Sequence, residues 1–522
     1  MDPVVATLVI LVLAVIGFVS NRVPLGVVAI GVSLALFFTG VLTLPQALAG
    51  FGDPIVLFIA ALFVVSESLD ATGVTAWAGQ VVMGRAGTGR RRLLLVVGVL
   101  VAVLTAFISL NGAVAALLPL VVVVAARAGI PTSQLLMPLA FASHAGSMLL
   151  LTGTPVNVIV SSIAADSGGR RFGYFEFALV GLPLLAGTLI IIGLFGSRLL
   201  PSRNGALMPT DLARHARLLR AQYDVTLDTG TMLGPVNGVT EVVVPPRSPL
   251  IGARLCTGMA TPSGDLVLLA ARRGTEHLTG QDIVVQAGDA LLLQGTWDDL
   301  ARHTESPAAS IIPVDAPARL RRSVPLGRRA PVALAVLAAM VVALATGLVP
   351  PAAVALIAAC VLVVTRTVPV AQAYQAIPWT TIVLIAGMIP LATAFIQTGA
   401  ADLIAGGLLG VIGDGGAQVA LLALCLVTVV LGQLISNTAT VLIVAPVAVS
   451  IAATLDVSVQ PFMMALTVAG AAAFLTPIAT PVNLMVMEPG GYRFGDYWKL
   501  GLPLVVLFLV VAVLYVPLVW PF

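Results

Sequence analysis

The tetrapeptide Thr480-Pro481-Val482-Asn483 decides the fold, because an identical Thr154-Pro155-Val156-Asn157 stands 326 residues earlier (480 − 154). The same offset places Asn111 on Asn437, and it holds without change from residue 24 to residue 157. Chance rarely produces one constant offset over such a length. The sequence is therefore predicted to contain two copies of one structural repeat.

The composition narrows the class of protein. The 522 residues are 59% hydrophobic and only 9% charged, and the mean hydropathy is +1.09. Soluble domains carry about 25% charged residues, and the sequence contains no hydrolase, kinase or metalloenzyme constellation. The net charge of +3 is too small to indicate a nucleic-acid partner, and the isolated Cys256, Cys360 and Cys425 favour neither disulfides nor a metal site. We expect an integral membrane protein that contacts the lipid bilayer and is not an enzyme.

Apolar stretches close to the roughly 20 residues that a membrane-spanning helix requires recur in both halves. The uninterrupted candidates are Val4–Ser20, Leu25–Leu42, Pro54–Leu69 and Phe177–Leu199, then Pro331–Val349, Ala352–Val364, Thr381–Ile396 and Leu500–Val519.

Four further apolar stretches are interrupted by polar or helix-breaking residues. The stretches are Leu93–Ala126, Leu135–Ala165, Val419–Ala453 and Pro461–Met487, and their breaks lie at Ser109–Gly112, Thr152–Asn157, Ser436–Thr438 and Ala479–Asn483. Free backbone groups are tolerated at membrane depth only where they line a protein cavity. The four breaks therefore predict a shared internal site.

Each half has four plain spans, one broken helix and one long stretch that crosses twice or not at all. Each half then crosses the membrane an odd number of times, so the second copy enters from the opposite face. Such inverted repeats are typical of secondary transporters. The predicted fold is an all-α polytopic membrane protein with two inverted repeats (residues 1–200 and 326–522), re-entrant hairpins and broken helices, and a small α+β cytoplasmic domain (201–325) inserted between them.

The positive charges set the predicted orientation. With both termini outside, the inner side receives Arg22, Arg85, Arg90, Arg91, Arg92, Arg127, Arg328, Arg329, Arg366, Arg493 and Lys499, and the outer side only Arg170 and Arg171. This places a multi-pass protein in the cell (inner) membrane with its central domain in the cytoplasm.

The central insert, about Pro201–Pro325, holds 24 of the 49 charged residues. Its sequence predicts an amphipathic helix over Thr210–Arg220, followed by short strands at Glu241–Val244, Leu266–Ala270, Ile283–Val285 and Ala290–Leu293.

The residues at the breaks suit an ion. Asn amides, Ser and Thr hydroxyls and the N-termini of half-helices donate hydrogen bonds to an anion, whereas freed carbonyls and Asn oxygens suit a monovalent cation. No Arg, Lys, Asp or Glu lies near any break, so neutral groups would hold the anion and cations would balance its charge. The alternative is that these small polar residues only pack helices.

The sequence Ser436-Asn437-Thr438-Ala439-Thr440, with Ala479-Thr480-Pro481-Val482-Asn483 downstream, resembles the divalent anion:sodium symporter (DASS) family of the ion transporter superfamily. The resemblance covers nearly all of both membrane halves. It implies two hairpins tipped by Ser-Asn-Thr, two helices unwound at Thr-Pro, an elevator-type movement and a homodimer.

The resemblance also implies roles for single residues. The substrate would contact Asn111, Thr154, Pro155, Ser436, Asn437, Thr438, Thr480 and Pro481, and sodium ions would bind at Asn111, Gly153 and Thr154 and at Asn437, Ala479 and Thr480. The first copy departs from the pattern, because the offset aligns Leu110-Asn111-Gly112 with Ser-Asn-Thr, and Ser109 lies one position early. The loss of two hydroxyls makes a small oxyanion such as sulfate more plausible beside the dicarboxylates.

Two further features bear on coupling and regulation. His144 lies in the first broken helix, where it suits either a proton relay or simple packing. In the insert, Thr240–Gly252 with Ala271–Gly274 and Ala287–Asp289 resembles the TrkA C-terminal (RCK-C type) domain, which implies a small-molecule regulator. The alternative is an inert loop domain.

The predicted function is therefore sodium-coupled symport of a small divalent anion, with sodium as the coupling ion and no organic cofactor. Two alternatives stay open. One is an antiporter of the same superfamily that exchanges sodium or an arsenite-type oxyanion for protons. The other is a membrane sensor that reports a ligand to the inserted domain.

Overall fold

The computed structural model describes residues 2–20, 22–84, 89–203, 237–255, 259, 266–274, 276–278, 283–304, 311–314, 327, 329–412 and 415–522. Contacts divide the chain into two compact units. One unit contains residues 1–68, 81–207 and 334–522, and the other contains residues 69–80 and 208–333. The three-domain division at residues 200/201 and 325/326 stays a prediction.

The first unit is helical, as predicted, and its helices fall into two sets. The first set is α1 (Pro3–Ser20), α2 (Leu25–Phe38), α3 (Leu44–Leu48), α4 (Pro54–Ala71), α5 (Val74–Gly84), α6 (Arg90–Phe107), α7 (Leu110–Arg127), α8 (Ser133–Gly146), α9 (Pro155–Asp166) and α10 (Ala178–Leu199). Part of α4 and all but the last turn of α5 belong to the second unit.

The second set follows the insert, whose single described helix is α11 (Trp297–Thr304). It comprises α12 (Ala330–Thr346), α13 (Pro351–Val364), α14 (Val370–Ala376), α15 (Trp379–Thr398), α16 (Ala400–Ile412), α17 (Gly416–Gly432), α18 (Asn437–Thr454), α19 (Val459–Ala471), α20 (Pro481–Met487), α21 (Tyr497–Val510) and α22 (Val516–Val519). Within the described residues, six helical segments are long and apolar enough to cross a membrane, which agrees with the predicted polytopic class.

The two sets repeat each other helix by helix. Adding 326 to the limits of α2 gives the limits of α13, and α8 and α19 begin 326 residues apart. The correspondence includes two pairs of short helices that the sequence did not predict, α3 with α14 and α5 with α16. The duplication read from the sequence is therefore also a duplication of structure.

Both predicted broken helices are interrupted where the Thr-Pro sequences stand. Helix α8 ends at Gly146 and α9 begins at Pro155, while α19 ends at Ala471 and α20 begins at Pro481. Proline is favoured at the first position of a helix, because its missing N–H would have no intrahelical partner there. Apart from the exposed Ile478, the residues of the unwound segments between each pair of half-helices (residues 147–154 and 472–480) are buried or half-buried.

Two glycines let α10 and α21 approach these unwound segments. A Cβ atom built on Gly181 in α10 would lie 2.4 Å from the carbonyl oxygen of Met148, and one built on Gly501 in α21 would lie 2.3 Å from that of Phe474. These distances are far shorter than a van der Waals contact. The shared Gly-Leu-Pro-Leu sequence of the two helices thus has a steric reason at its first residue.

Replacing Gly181 with alanine is expected to destabilise the fold by about 3 kcal/mol, because the clash is with backbone that cannot rotate away. Gly193 in the same helix is the matched control, since a Cβ there meets no atom within 4 Å. Gly193→Ala should be neutral or stabilising by up to about 1 kcal/mol. Thermal unfolding of both detergent-purified variants tests this, and equal melting temperatures would contradict it.

The insert forms an antiparallel sheet, which confirms the predicted α+β character. Five strands lie in the order β4-β3-β6-β1-β7, and two short strands, β2 and β5, pair separately. The strands are β1 (Asn237–Val243), β2 (Arg254–Leu255), β3 (Leu266–Arg273), β4 (Glu276–Leu278), β5 (Ile283–Val284), β6 (Ala290–Thr296) and β7 (Ile312–Pro313). All four predicted strand runs fall on strands, and the predicted helix at 210–220 lies outside the described residues.

An ion pair between the partly exposed Arg273 and the buried Asp289 joins the sheet of the insert to a turn. The fully buried carboxylate of Asp289 accepts hydrogen bonds from Arg273 Nε at 2.7 Å and Nη2 at 2.8 Å, and from the Gln286 backbone N–H at 2.8 Å. Burial alone would raise the pKa of Asp289, but the hydrogen bonds from Arg273 and Gln286 outweigh it and hold the pKa below its usual value.

The stability of the insert should therefore depend on acid. The contribution of Asp289 is complete above the pKa of an unfolded aspartate, about 3.9, and is lost as the pH falls through the lower folded-state value. We expect Asp289→Asn to speed hydrogen exchange of the β3 and β6 amides several-fold at pH 7 and to remove the acid dependence. Exchange rates corrected for intrinsic pH effects measure this, and an unchanged acid dependence in the variant would refute it.

Candidate functional site

A cavity of about 270 Å³ lies between the two repeats and is lined by every residue that the sequence predicted for the site. The shared lining comes from the two hairpin turns, the two unwound segments and the ends of the helices beside them. The predicted residues in its wall are Asn111, His144, Gly153, Thr154, Pro155, Ser436, Asn437, Thr438, Ala479, Thr480 and Pro481. The cavity also has apolar walls, which include Phe63, Phe107, Leu110, Met340 and Leu384.

The two hairpin turns share one capping hydrogen bond, although the offset of 326 does not align the two serines that make it. Ser436 caps α18, with its Oγ accepting the Ala439 backbone N–H at 3.3 Å. In the first repeat Ser109 caps α7 in the same way, with Gly112 N–H at 3.2 Å. Ser109 thus takes over the capping role one position before the residue that the offset aligns with Ser436. Both serines satisfy a free N–H at the start of their helix.

The two hairpin asparagines differ in their surroundings. Asn437 is the first residue of α18, and its Oδ1 atom is buried and has no hydrogen-bond partner among the described residues. Asn111 is the second residue of α7 and its side chain is exposed. A buried acceptor without a partner costs free energy, so the position of Asn437 is one that a bound ligand would stabilise.

The asparagines that end the two Thr-Pro-Val-Asn sequences hold the unwound segments in place. Asn157 Nδ2 donates to the carbonyls of Ser147 at 3.0 Å and Leu150 at 2.8 Å. The equivalent amide of Asn483 donates to Ala473 at 2.8 Å and Thr476 at 3.0 Å. Each amide replaces helical donors that the break removes. The sequence showed these asparagines as part of a repeat but gave no sign of this role.

The second unwound segment has an additional support that the first lacks. Gln433 donates through Nε2 to the carbonyl of Ala472 at 3.1 Å, and its Oε1 accepts the Leu475 backbone N–H at 3.0 Å. The offset aligns Gln433 with Phe107 in the first repeat. In the first repeat Thr152 Oγ1 instead donates to the Ala106 carbonyl at 3.3 Å, and the Leu151 backbone N–H donates to the Tyr174 carbonyl at 3.0 Å. The two unwound segments are therefore held by different partners.

His144 is the one titratable side chain in the described lining of the cavity. Its Nε2 lies 3.4 Å from Thr480 Oγ1, and its ring packs against Phe474 with centroids 5.4 Å apart. The offset aligns His144 with Gly470, which also lines the cavity. The equivalent position of the second repeat thus carries no side chain.

Neutral groups set the electrostatics of the cavity. No Asp, Glu, Lys or Arg lies in its described lining. Three helices of 12 to 18 residues (α7, α9 and α18) begin at its wall, and the partial positive charge of a helix N-terminus attracts anions. Helices α8 and α19 end there, so partly negative carbonyls also face this region. The arrangement suits an anion and a cation bound close together.

Comparison with known proteins agrees with this architecture. The family model of the citrate transporters (CitMHS) matches residues 15–469 and 411–522. The transporter YfbS of Escherichia coli (strain K12) is 30% identical over 98% of both chains. Sodium/sulfate cotransporter 1 of Chlamydomonas reinhardtii is 25% identical over 58% of this chain and 35% of that protein.

A solved structure shows the same fold. The YdaH transporter of Alcanivorax borkumensis superposes with a TM-score of 0.52 over 100% of this chain and 99% of the other, at 15% identity. The family resemblance predicted from the Ser-Asn-Thr and Thr-Pro sequences is confirmed by these matches, and so is the expectation that the protein is not an enzyme. The chain belongs to the citrate transporter (CitMHS) family of membrane transporters.

Proposed function

We propose that this transporter carries a small divalent anion, sulfate or a dicarboxylate, in symport with sodium, and that the cavity between the repeats is its substrate site. The observation that carries the proposal is the buried Oδ1 atom of Asn437, which has no partner in the described residues and stands where α18 begins. A carbonyl-type oxygen of this kind is a ligand for a hard cation. The similarity to sodium/sulfate cotransporter 1 of Chlamydomonas reinhardtii supports the same assignment.

The anion would be held by neutral donors. In this proposal the hydroxyls of Ser436, Thr438 and Thr480, the amide of Asn437 and the N-terminus of α18 bind it, with Pro481 at the wall. Asn111, Thr154 and Pro155 contribute from the first repeat. Leu110 lines the cavity where a second hydroxyl, equivalent to that of Ser436, would otherwise stand, and Gly112 takes the place of Thr438. This asymmetry favours sulfate over a long dicarboxylate.

Sodium would be held by oxygen atoms on both sides of the anion. One ion would bind Asn437 Oδ1, the carbonyl of Ala479 and Thr480, and another would bind Asn111, the carbonyl of Gly153 and Thr154. All six residues line the same cavity. Because no charged side chain stands in the described lining, the cations would supply the charge that balances the anion.

The remaining parts of the proposal concern the whole molecule. An elevator-type movement would carry the cavity across the inner membrane of a homodimer. Both termini would lie outside and residues 201–325 in the cytoplasm, as the arginine distribution supports. The insert would bind a small regulator, in keeping with its TrkA-C-like sequence. Labelling of single cysteines introduced at residues 2 and 247, from each side of the membrane, would test this orientation.

Uptake by the purified protein in liposomes tests the main proposal. Radiolabelled sulfate, succinate and citrate are offered with an inward gradient of sodium or of choline. We expect sulfate uptake that requires sodium, and a rise in the melting temperature of the detergent-purified protein when sulfate and sodium are added together. Equal uptake in choline would contradict sodium coupling.

His144 favours one second candidate, a proton-coupled antiporter for an oxyanion or sodium. An ionisable side chain within a membrane protein is a candidate for a proton relay, and His144 contacts Thr480 inside the cavity. Flux that follows a pH gradient, persists without sodium and includes arsenite would support this candidate over symport.

A further inference from the structure

The segment that leaves α10 toward the insert is fastened to both repeats. Gln134 Nε2, at the start of α8, donates to the carbonyl of Leu200 at 3.0 Å. Ser133 Oγ donates to the carbonyl of Pro201 and accepts the Arg203 backbone N–H at 2.9 Å. Residues 200–203 therefore lie as a strap across the beginning of the broken helix that carries His144.

The same strap reaches the loop that follows α20. Arg203 Nη1 lies 2.9 Å from Asp496 Oδ2, and the Asp496 side chain is only 7% exposed. The loop is held to α8 as well, because the Tyr492 hydroxyl donates to the Ser133 carbonyl and accepts the Met137 backbone N–H at 2.8 Å. We define these contacts among residues 133–137, 200–203 and 489–496 as the strap clasp.

A counterpart exists at the equivalent loop of the first repeat. Gly173 N–H donates to Glu176 Oε2 at 2.7 Å, as Arg493 N–H donates to Asp496 Oδ2 at 2.9 Å. Glu176 then binds Trp520 Nε1 at 2.6 Å, which follows the last helices of the second repeat. Each repeat thus contacts the other through an acidic residue, and these two residues, Glu176 and Asp496, are 320 positions apart (496 − 176). Of the two contacts, the strap clasp is the one that leads along the chain into the insert.

We propose that the strap clasp is the route by which the state of the insert acts on the transport site. The clasp joins the segment entering the insert to α8 and to the loop after α20, and both helices end or begin at the cavity wall. The clasp is partly buried, since the Arg203 side chain is 39% exposed and that of Asp496 only 7%, and hydrogen bonds that share partners in such a network polarise one another. A change in the insert that pulls on or releases residues 200–203 would strengthen or weaken the hydrogen bonds that hold α8 and the loop after α20. This inference is independent of which ion is transported.

The test combines removal of the insert with removal of the ion pair. Residues 210–310 are replaced by a flexible Gly-Ser linker in the wild type and in Arg203→Gln. With a flexible linker attached in place of the folded insert, the strap should open more often from its C-terminal end. Hydrogen exchange is followed in the peptides 476–487 and 489–496. In the wild-type background the replacement should speed exchange about fivefold, the lower end of typical coupling between sites. In Arg203→Gln, which removes the ion pair between residues 200–203 and Asp496, the replacement should add nothing.

Two controls separate coupling from general loosening. Glu176→Gln weakens the counterpart clasp, which has no link to the insert, and should leave the fivefold effect of the replacement intact. Arg203→Lys keeps a cation beside Asp496 and should restore the fivefold effect of the replacement. The proposal is overturned if the replacement has no effect in the wild type, has the same effect in Arg203→Gln, or loses its effect in Glu176→Gln. Sulfate uptake is a separate readout, so a wild type that transports nothing would refute the proposed function and not the clasp.

Discussion

Replacing Asn437 with alanine is expected to reduce sodium-driven sulfate uptake about 100-fold and to leave the melting temperature of the ligand-free protein unchanged. The variant removes an oxygen that has no partner in the described protein, so the fold loses no hydrogen bond. The bound state loses contacts to ions, which are worth about 1.5–3 kcal/mol each, or roughly 10- to 150-fold in affinity. Uptake into liposomes and thermal unfolding measure the two sides of this expectation.

Asn111→Ala is the matched control, because the offset pairs it with Asn437. The Asn111 side chain is exposed, and the repeat-1 turn offers a leucine where the repeat-2 turn has a serine. We therefore expect a smaller loss, about tenfold, which a single contact to a charged ligand would give. Normal uptake by Asn437→Ala would remove the substrate site from this cavity, and an equal loss in both variants would remove the asymmetry between the repeats.

Replacing Asn483 with alanine should have the opposite signature, a large loss of stability. The Asn483 amide is the donor for two carbonyls in the second unwound segment, at 2.8 and 3.0 Å. Each carbonyl left buried without a donor costs about 1–3 kcal/mol, so the total is about 2–6 kcal/mol. Asn157→Ala should behave in the same way, because it breaks the equivalent pair of bonds.

Thermal unfolding of the three asparagine variants without ligand decides between these roles. Asn483→Ala and Asn157→Ala should melt well below the wild type, whereas Asn437→Ala should not. A wild-type melting temperature for Asn483→Ala would mean that another donor takes over the two carbonyls. Destabilisation by Asn437→Ala would mean that its amide has a structural part in the hairpin.

The repeat and the location of the site could be predicted from the sequence because helix breakers leave an unambiguous trace in an apolar chain. Thr154-Pro155 and Thr480-Pro481 mark the points where helices must begin again, and an inverted duplication brings such points together near the middle of the membrane. All the residues chosen on this basis line one cavity. The repeated element order follows from the same offset.

The capping role of Ser109 could not be predicted in this way. A constant offset assumes that equivalent turns have equal lengths, but two residues separate α6 from α7, whereas four separate α17 from α18. The shorter turn moves the cap one position relative to the offset. Only the hydrogen bond from Gly112 N–H to Ser109 Oγ reveals that the lost serine is replaced as a cap.

The contacts between the repeats could not be predicted from the sequence either. The short helices α5 and α16, with 11 and 13 residues, fall below the length by which spans are recognised. Arg203 and Asp496 are 293 residues apart, and nothing in a single sequence pairs two surface-type residues over that distance. Their chemistry is evident in the sequence, but their proximity arises from the packing of one repeat on the other.

The contacts between the two repeats have a consequence for biosynthesis. Arg203 is made 293 residues before Asp496, and at about 5–20 residues per second the ribosome needs about 15–60 s to deliver its partner. During that interval the contacts of α8 with the second repeat, such as the hydrogen bond from the Tyr492 hydroxyl to the Ser133 carbonyl, cannot form. The completed form of the first repeat exists only after the second repeat arrives, so a nascent chain halted near residue 330 should remain bound to the insertion machinery rather than enter the lipid.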